Sequence, residues 1–127
     1  MIKNKRIVVF SELEKRAFYG LPNFDDNDRK KYFTFTEQEI NLIAQNKESN
    51  TKLYCAIQMG YFKFMKAFFY LSWQEFNTKD LCFLKDNYFP DISLPFSGST
   101  KHIHYSQRLK IMTLYGYKDW SEKYKKN

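Results

Sequence analysis

The stretch that decides the fold is Gln58-Met59-Gly60-Tyr61-Phe62-Lys63, continued by Phe64-Met65-Lys66-Ala67-Phe68-Phe69. It places a glycine, a run of aromatic side chains and two lysines within what reads as the most buried helix of the chain. A glycine inside a helix costs about 1 kcal/mol relative to alanine, so it usually marks close packing or the approach of the backbone to a partner. Because Gly60 falls on the apolar face of the helix, close packing is the favoured explanation.

This central helix is expected to run from about Thr51 to Phe69, capped by Ser49 or Asn50 after a polar break at residues 46–50. At about 100° per residue, one face of the helix is apolar. Its members are Leu53, Ile57, Gly60, Tyr61, Phe64 and Phe68. Another flank carries Lys52, Met59, Lys63 and Lys66. The lysines therefore form a stripe, which suits either an acidic partner or plain solvation.

Other helix starts are marked by capping signatures, in which a Ser, Thr or Asp precedes an acidic residue by three positions. The predicted starts with this signature are Ser11, Asp25, Thr36 and Ser72; Thr78 and Ser106 are two further predicted starts, which lack the acidic residue. The first of these helices ends near Gly20, the fifth is stopped by Pro90, and the last ends at a glycine cap, Gly116. Residues 90–101 read as an irregular loop, 101–105 as a basic, extended connector, and 118–127 as a fraying tail.

Strand-like alternation is scarce, so the sequence predicts an all-α fold, a small multi-helix bundle. The predicted helices 36–46 and 50–69, joined by a short polar turn, also fit a helix-turn-helix arrangement. Residues 1–96 are expected to form a helical bundle. Residues 97–127 then supply a basic connector, a helix and a tail, packed with the bundle as one compact unit.

The charge balance points to a polyanionic partner. The chain has 127 residues, with 21 Lys and Arg against 14 Asp and Glu, and a net charge of +7. The excess is concentrated at the ends, because residues 101–127 carry seven basic groups against only Asp119 and Glu122. Nucleic acid is therefore the first partner to test.

No catalytic, metal or cofactor site is expected. Metal ligation needs convergent spacing that the available donors lack, namely Cys55, Cys82, His102 and His104. The two cysteines are interpreted as reduced, buried thiols. The carboxylates of Asp25, Asp26 and Asp28 are explained by helix capping, and neither a nucleophile elbow nor a phosphate-binding glycine loop is present. A small hydrolase would need convergent catalytic groups that the sequence does not show.

No membrane contact is expected either. The most apolar long segment, residues 53–73, contains Gln58, Lys63 and Lys66, which are costly at a bilayer centre. The N-terminus lacks the length and cleavage site of a secretory signal. We therefore expect a cytoplasmic protein.

Two sets of basic and polar side chains are candidates for DNA contact. The first set, on the central helix, is Lys52, Lys63 and Lys66. The second set is Lys101, His102, His104, Gln107, Arg108 and Lys110. The second is favoured, because an extended basic arm leading into a helix is one way in which known domains hold a groove and its backbone. The alternative for the second set is a charged linker to another domain.

Five blocks occur in an order that is more specific than any one of them. They are Phe18-Tyr19-Gly20-Leu21-Pro22, Tyr32-Phe33-Thr34-Phe35-Thr36-Glu37, Ala56-Ile57-Gln58-Met59-Gly60-Tyr61-Phe62-Lys63, Tyr88-Phe89-Pro90, and Gln107-Arg108-Leu109 to Leu114-Tyr115-Gly116-Tyr117. From about Ser11 to Trp120, this order resembles the N-terminal region of the Tn-three family of replicative transposases.

The resemblance implies a helical, bacterial DNA-binding region that recognises the terminal inverted repeats of a transposon. It also implies that residues 1–96 are the DNA-binding module and that residues 97–127 lead to the next module of a longer chain. The partners it implies are double-stranded DNA, with the protein at the nucleoid when bound, and the remainder of a longer transposase chain. The family's metal-dependent catalytic triad of two aspartates and a glutamate lies much later in its chains and has no counterpart here. The expectation is thus a non-catalytic DNA-binding fragment. The alternative is an assembly module of a transposase with only nonspecific DNA affinity.

Overall fold

The computed structural model describes residues 20–94 and 100–117, and over these the chain folds into five α-helices with no strand. In chain order they are α1 (Asp26–Tyr32), α2 (Glu37–Ala44), α3 (Ser49–Met65), α4 (Thr78–Tyr88) and α5 (Lys101–Leu114). A 3-10 turn, Trp73–Glu75, precedes α4. The predicted all-α bundle is confirmed. The helix predicted from Ser11 and the tail predicted for residues 118–127 lie outside the described residues.

Capping boxes begin α1 and α2, as the sequence predicts. The Asp25 carboxylate accepts the amide of Asp28 at 2.8 Å, and the Asp28 carboxylate accepts the amide of Asp25 at 3.1 Å. Thr36 and Glu39 repeat the pattern at α2. These reciprocal bonds satisfy amides that lack partners within the helix. Ser72 also forms a capping box, but it heads the short 3-10 turn instead of an α-helix.

The bounds predicted for the central helix are wrong at both ends. Glu48 occupies the N-cap of α3, without a side-chain capping bond. At the other end, Lys66 adopts the left-handed conformation with φ 57° and terminates the helix. The chain then turns back along α3, where the Gln58 side chain donates to the Phe69 carbonyl at 2.7 Å and accepts its amide at 3.1 Å. This amide pair holds Phe69 outside the helix that the sequence pattern extended to it.

All four other helices pack against α3, which forms the centre of the core. Every residue of α3 from Leu53 to Phe62 is buried, so the helix has no solvent face over this length. The predicted division into an apolar face and a lysine flank is therefore wrong in two places. Met59 is fully buried, and Phe64 is 45% exposed. If α2 and α3 act as a helix-turn-helix, residues 53–62 of α3 cannot enter a DNA groove, because the other helices cover them.

Gly60 allows α1 and α3 to approach closely, as the sequence predicts. A Cβ atom at Gly60 would lie 2.1 Å from Cε1 and 2.3 Å from Cδ1 of Phe33, and 3.2 Å from the Tyr32 carbonyl oxygen. Phe33, directly after α1, is completely buried. Only a residue without a side chain fits this contact without rearrangement.

A buried ion pair, which no local sequence pattern indicates, joins α1, α3 and α4. The Arg29 guanidinium donates through Nε to Asp80 at 2.8 Å, and Asp80 also accepts the Tyr61 hydroxyl at 2.6 Å. Asp80 is completely buried, and the Arg29 side chain is 7% exposed. Two further bonds, to Asp26 and to the Phe24 carbonyl, complete the guanidinium's partners. The charges are thus enclosed with their hydrogen-bonding groups paired.

Helix α5 begins at Lys101, so the extended connector predicted for residues 101–105 is wrong and Ser106 lies inside the helix. Thr100 immediately precedes it, with its hydroxyl bonded to the Leu71 carbonyl. At the other end Gly116 has φ +81°, as its predicted capping role requires. The Gly116 amide donates to the Thr113 carbonyl at 3.1 Å, and the Tyr117 amide to the Met112 carbonyl at 2.8 Å. This pair of bonds is the Schellman motif.

Candidate nucleic-acid interface

The Lys63 side chain makes contacts within the bundle. Its ammonium lies 3.3 Å from a Glu39 carboxylate oxygen, donates to the Thr34 carbonyl at 3.1 Å and sits 4.8 Å from the centre of the Phe35 ring. Only 20% of the Lys63 side chain is exposed. With its charge paired and its donors engaged, Lys63 joins α3 to α2 and is poorly placed for phosphate contact.

Lys52 and Lys66, the other members of the first set, do not share a site with each other. Lys52 is half-buried in the first turn of α3, and Lys66 is exposed beyond the last turn. Fourteen residues of helix separate their backbones by about 20 Å. The three lysines therefore do not form the continuous stripe that the sequence predicts, because Lys63 is paired with Glu39, Lys52 is half-buried and Lys66 is exposed.

Gln107 is buried and cannot read a base edge. Its side-chain nitrogen donates to Oδ1 of Asn46 at 2.9 Å and to the Thr51 carbonyl at 2.8 Å. Only 4% of the residue is exposed. The side chain instead fixes the middle of α5 against the turn between α2 and α3, and this burial argues against the predicted contact with DNA.

Glu39 fixes the C-terminal end of α5 in a similar way. Its carboxylate accepts the Tyr115 hydroxyl as well as the Thr36 amide and the Lys63 ammonium. Burial, followed by the hydrogen bond and the negative charge of Glu39, raises the pKa of Tyr115 above its ordinary value. The hydroxyl therefore stays protonated and able to donate. Together with Gln107, this contact determines the orientation of α5 on α2 and α3.

The described residues of the second set that reach the surface, Arg108 and Lys110, lie on the outer side of α5. Ile103, Gln107 and Ile111 are buried on the inner side, whereas Leu109 is 52% exposed. Lys110 is exposed and Arg108 is half-buried. The backbone at Lys101, His102 and His104 is helical, and their side chains lie outside the described part of the structure. These positions thus belong to the same surface helix, not to a separate arm.

The charge of α5 is uniformly positive. From Ile92 to Lys118 the sequence contains no aspartate or glutamate, while α5 carries Lys101, Arg108 and Lys110. Of the five described helices, only α3 and α5 lack a carboxylate, and α3 is enclosed by the other helices. Helix α5 is therefore the described helix that has a partly exposed outer side, carries basic residues and contains no carboxylate of its own.

A second surface, of which only Lys66 is among the candidates predicted from the sequence, lies where α1 and α3 end. We call it the α1–α3 edge and define it as Lys31, Tyr32, Phe64, Met65 and Lys66. Phe64 and Met65 are 45% and 43% exposed. The Phe64 ring lies 5.2 Å, centre to centre, from that of Tyr32. A helical pattern assigned Phe64 to the core, whereas the structure places it in the last turn of α3 with its ring partly exposed.

The two cysteines differ in their surroundings. Cys55 is buried, and burial raises the pKa of its thiol to about 12. Cys82 is exposed, so its predicted burial is wrong; both thiols are free.

Within residues 20–94 and 100–117, no group of three His, Cys, Asp or Glu side chains is arranged to hold a metal ion. Across the same residues, no helix has the length and apolar character needed to span a membrane.

These features define a class: an all-α domain with a buried central helix and a basic surface helix docked on it. Residues 9–127 match the family described as a domain of unknown function, DUF4158, and the chain belongs to that family. The match includes every described helix. Searches of curated proteins and of solved structures gave no match.

Proposed function

We propose that this chain is the N-terminal DNA-binding region of a Tn-three family transposase and that it recognises terminal inverted repeats through α5. The DUF4158 domain is found in transposases of that family. The five ordered sequence blocks resemble the same region. In this proposal the chain has no catalytic step of its own and acts by positioning a longer protein on double-stranded DNA.

The observation that carries the proposal is the outer side of α5. A 14-residue helix spans about 20 Å, which is long enough to cross a major groove. Its inner side is fixed by Gln107 and Tyr115, so the helix presents a rigid surface. Arg108 and Lys110 supply donors to phosphates or to guanine edges. A basic helix held in one orientation is suited to duplex contact.

The test is fluorescence anisotropy of the full chain with the element's terminal repeat and with a scrambled duplex of equal length, over a range of salt concentrations. We expect tighter binding to the repeat. The logarithm of the association constant should fall by about 0.9 for each phosphate contact when the salt concentration rises tenfold. Equal affinity for the two duplexes would contradict specific recognition. That result would favour an assembly module with nonspecific DNA affinity.

Paired charge reversals locate the contact. Arg108→Glu with Lys110→Glu should weaken duplex binding by more than tenfold and reduce the salt slope. The matched control is Lys79→Glu with Lys85→Glu on α4, which changes the net charge equally. Equally weakened binding in the two variants would indicate that net charge alone attracts DNA and that α5 is not the contact.

A further inference from the structure

The Phe64 ring is held in a fixed orientation at the surface. It makes near-perpendicular contacts with Tyr32, at 5.2 Å and 74°, and with Phe24, at 5.3 Å and 87°. Phe24 is buried, so the cluster is anchored in the core. Almost half of Phe64 nevertheless faces solvent. A rigid, exposed aromatic ring is a surface on which another planar group can stack with little loss of conformational entropy.

One lysine contacts this ring cluster, and a second follows Phe64 closely in the chain. The Lys31 ammonium is 5.2 Å from the centre of the Tyr32 ring, and Lys66 follows Phe64 by two residues. The α1 carboxylates of Asp26 and Asp28 lie in the first turn, at the opposite end of the helix from Lys31. The edge thus combines aromatic and positively charged groups.

The backbone at Lys66 is strained in a way that glycine would avoid. With φ 57°, Lys66 adopts the left-handed conformation that usually carries glycine at a helix end. Its ammonium donates to the Lys63 carbonyl at 3.0 Å, which keeps the side chain beside the last turn of α3. Strained residues of this kind cluster at functional sites.

We infer that the α1–α3 edge binds single-stranded nucleic acid, with a base stacked on Phe64 and flanking phosphates on Lys31 and Lys66. Bases of a duplex are stacked on one another, whereas those of a single strand offer their faces to aromatic rings. Aromatic side chains interleaved with lysines are the usual composition of such sites. This activity is separate from the duplex contact proposed for α5.

The test is anisotropy of a fluorescein-labelled ten-residue oligothymidine with the full 127-residue chain. Phe64→Ala should weaken binding between about 5-fold and 150-fold, the range for stacking of one base. Phe64→Leu keeps apolar bulk against Phe24 and should weaken binding similarly, so the test stands if the alanine variant does not fold. The control is Tyr70→Ala, which removes a 69% exposed ring near Tyr54, in the first half of α3, and should change nothing.

The lysines are tested by the salt dependence of binding. Lys31→Glu with Lys66→Glu should reduce the slope by roughly 0.7 log units for each phosphate that the variant no longer binds. Lack of oligothymidine binding, or unchanged binding by a folded Phe64 variant, would overturn the inference. Binding that depends on the lysines but not on Phe64 would also overturn it, because a phosphate binder needs no ring.

The proposals for duplex binding and for single-strand binding can be refuted separately. Arg108→Glu with Lys110→Glu should leave oligothymidine affinity within twofold of the parent, and Phe64→Leu should leave duplex affinity unchanged. Failure of the α5 variant to bind oligothymidine would assign both ligands to α5 and overturn a separate site. A chain that binds oligothymidine through Phe64 but not the terminal repeat would refute only the function proposed for α5.

Discussion

Substitution of Gly60 by alanine tests the packing at the centre of the bundle, because two effects of opposite sign compete there. In an exposed helix the change stabilises by about 1 kcal/mol. At Gly60 the added Cβ would lie 2.1 Å and 2.3 Å from two carbon atoms of the Phe33 ring. Ordinary contact distances between carbon atoms are about 3.5–4.0 Å, so the ring must move by more than about 1 Å.

Phe33 has little room for such a movement. It is fully buried, and its ring contacts those of Phe24, Tyr61 and Phe83. Overpacking of a core costs about 1–3 kcal/mol, and a displacement of this size belongs at the upper end. Subtraction of the helix-propensity gain leaves a net decrease of about 2 kcal/mol in the free energy of unfolding. For a chain of this length, the melting temperature should fall by roughly 6–10 °C.

Urea denaturation followed by far-ultraviolet circular dichroism measures the effect. Combining Gly60→Ala with Phe33→Leu, which removes the ring, should restore at least about 1 kcal/mol relative to the sum of the single changes. Asn41→Ala, on the exposed side of α2, is the control in which helix propensity acts alone and a small gain is expected. A Gly60→Ala protein as stable as the parent, or additive free energies in the double variant, would refute the packing argument.

Three further predictions concern buried charge, a buried thiol and the strained helix end. Asp80→Asn removes the buried counter-charge of Arg29 and leaves it only the exposed Asp26 carboxylate, so it should cost about 3 kcal/mol in urea denaturation; a cost below about 1 kcal/mol would mean that Asp26 or solvent compensates the guanidinium. Burial raises the pKa of Cys55 from 9.0 to about 12, so the unfolded chain releases this proton before the folded chain does, and stability should fall as pH rises above about 9. Cys55→Ala should flatten that decline by up to about 1.4 kcal/mol per pH unit, and a decline as steep in the variant as in the parent would show that Cys55 is not its source. Lys66→Gly should raise stability by about 1 kcal/mol in thermal melts while weakening oligothymidine binding; an unchanged melting temperature would show that the left-handed backbone at Lys66 carries no strain.

Local sequence signals predicted the parts of the fold that depend on neighbouring residues. The boxes at Asp25 and Thr36 need only a partner three positions away, and the cap at Gly116 needs only a residue that tolerates positive φ. The close approach at Gly60 was predicted because a glycine in an apolar helix calls for a specific reason. Each of these signals lies within a few residues of the feature that it marks.

Features built from distant residues could not be predicted from the sequence. Arg29 and Asp80 are 51 residues apart, and nothing in either local pattern indicates their pairing. Gln107 resembles a surface residue in a basic segment, yet its amide is bonded to the turn between α2 and α3. Lys63 and Gln107, both predicted as DNA contacts, are engaged by tertiary partners that no local pattern indicates.

The contact between Glu39 and Tyr115 has a consequence for folding during synthesis on the ribosome. The two residues are 76 positions apart, so at about 5–20 residues per second Tyr115 is made roughly 4–15 seconds after Glu39. Through that interval the Glu39 carboxylate has only its partners at Thr36 and, later, Lys63. The aromatic face of α3 that α5 will cover, including Phe62, is exposed for the same time. The nascent chain should therefore be a substrate for chaperones that bind apolar segments until α5 emerges and closes the bundle.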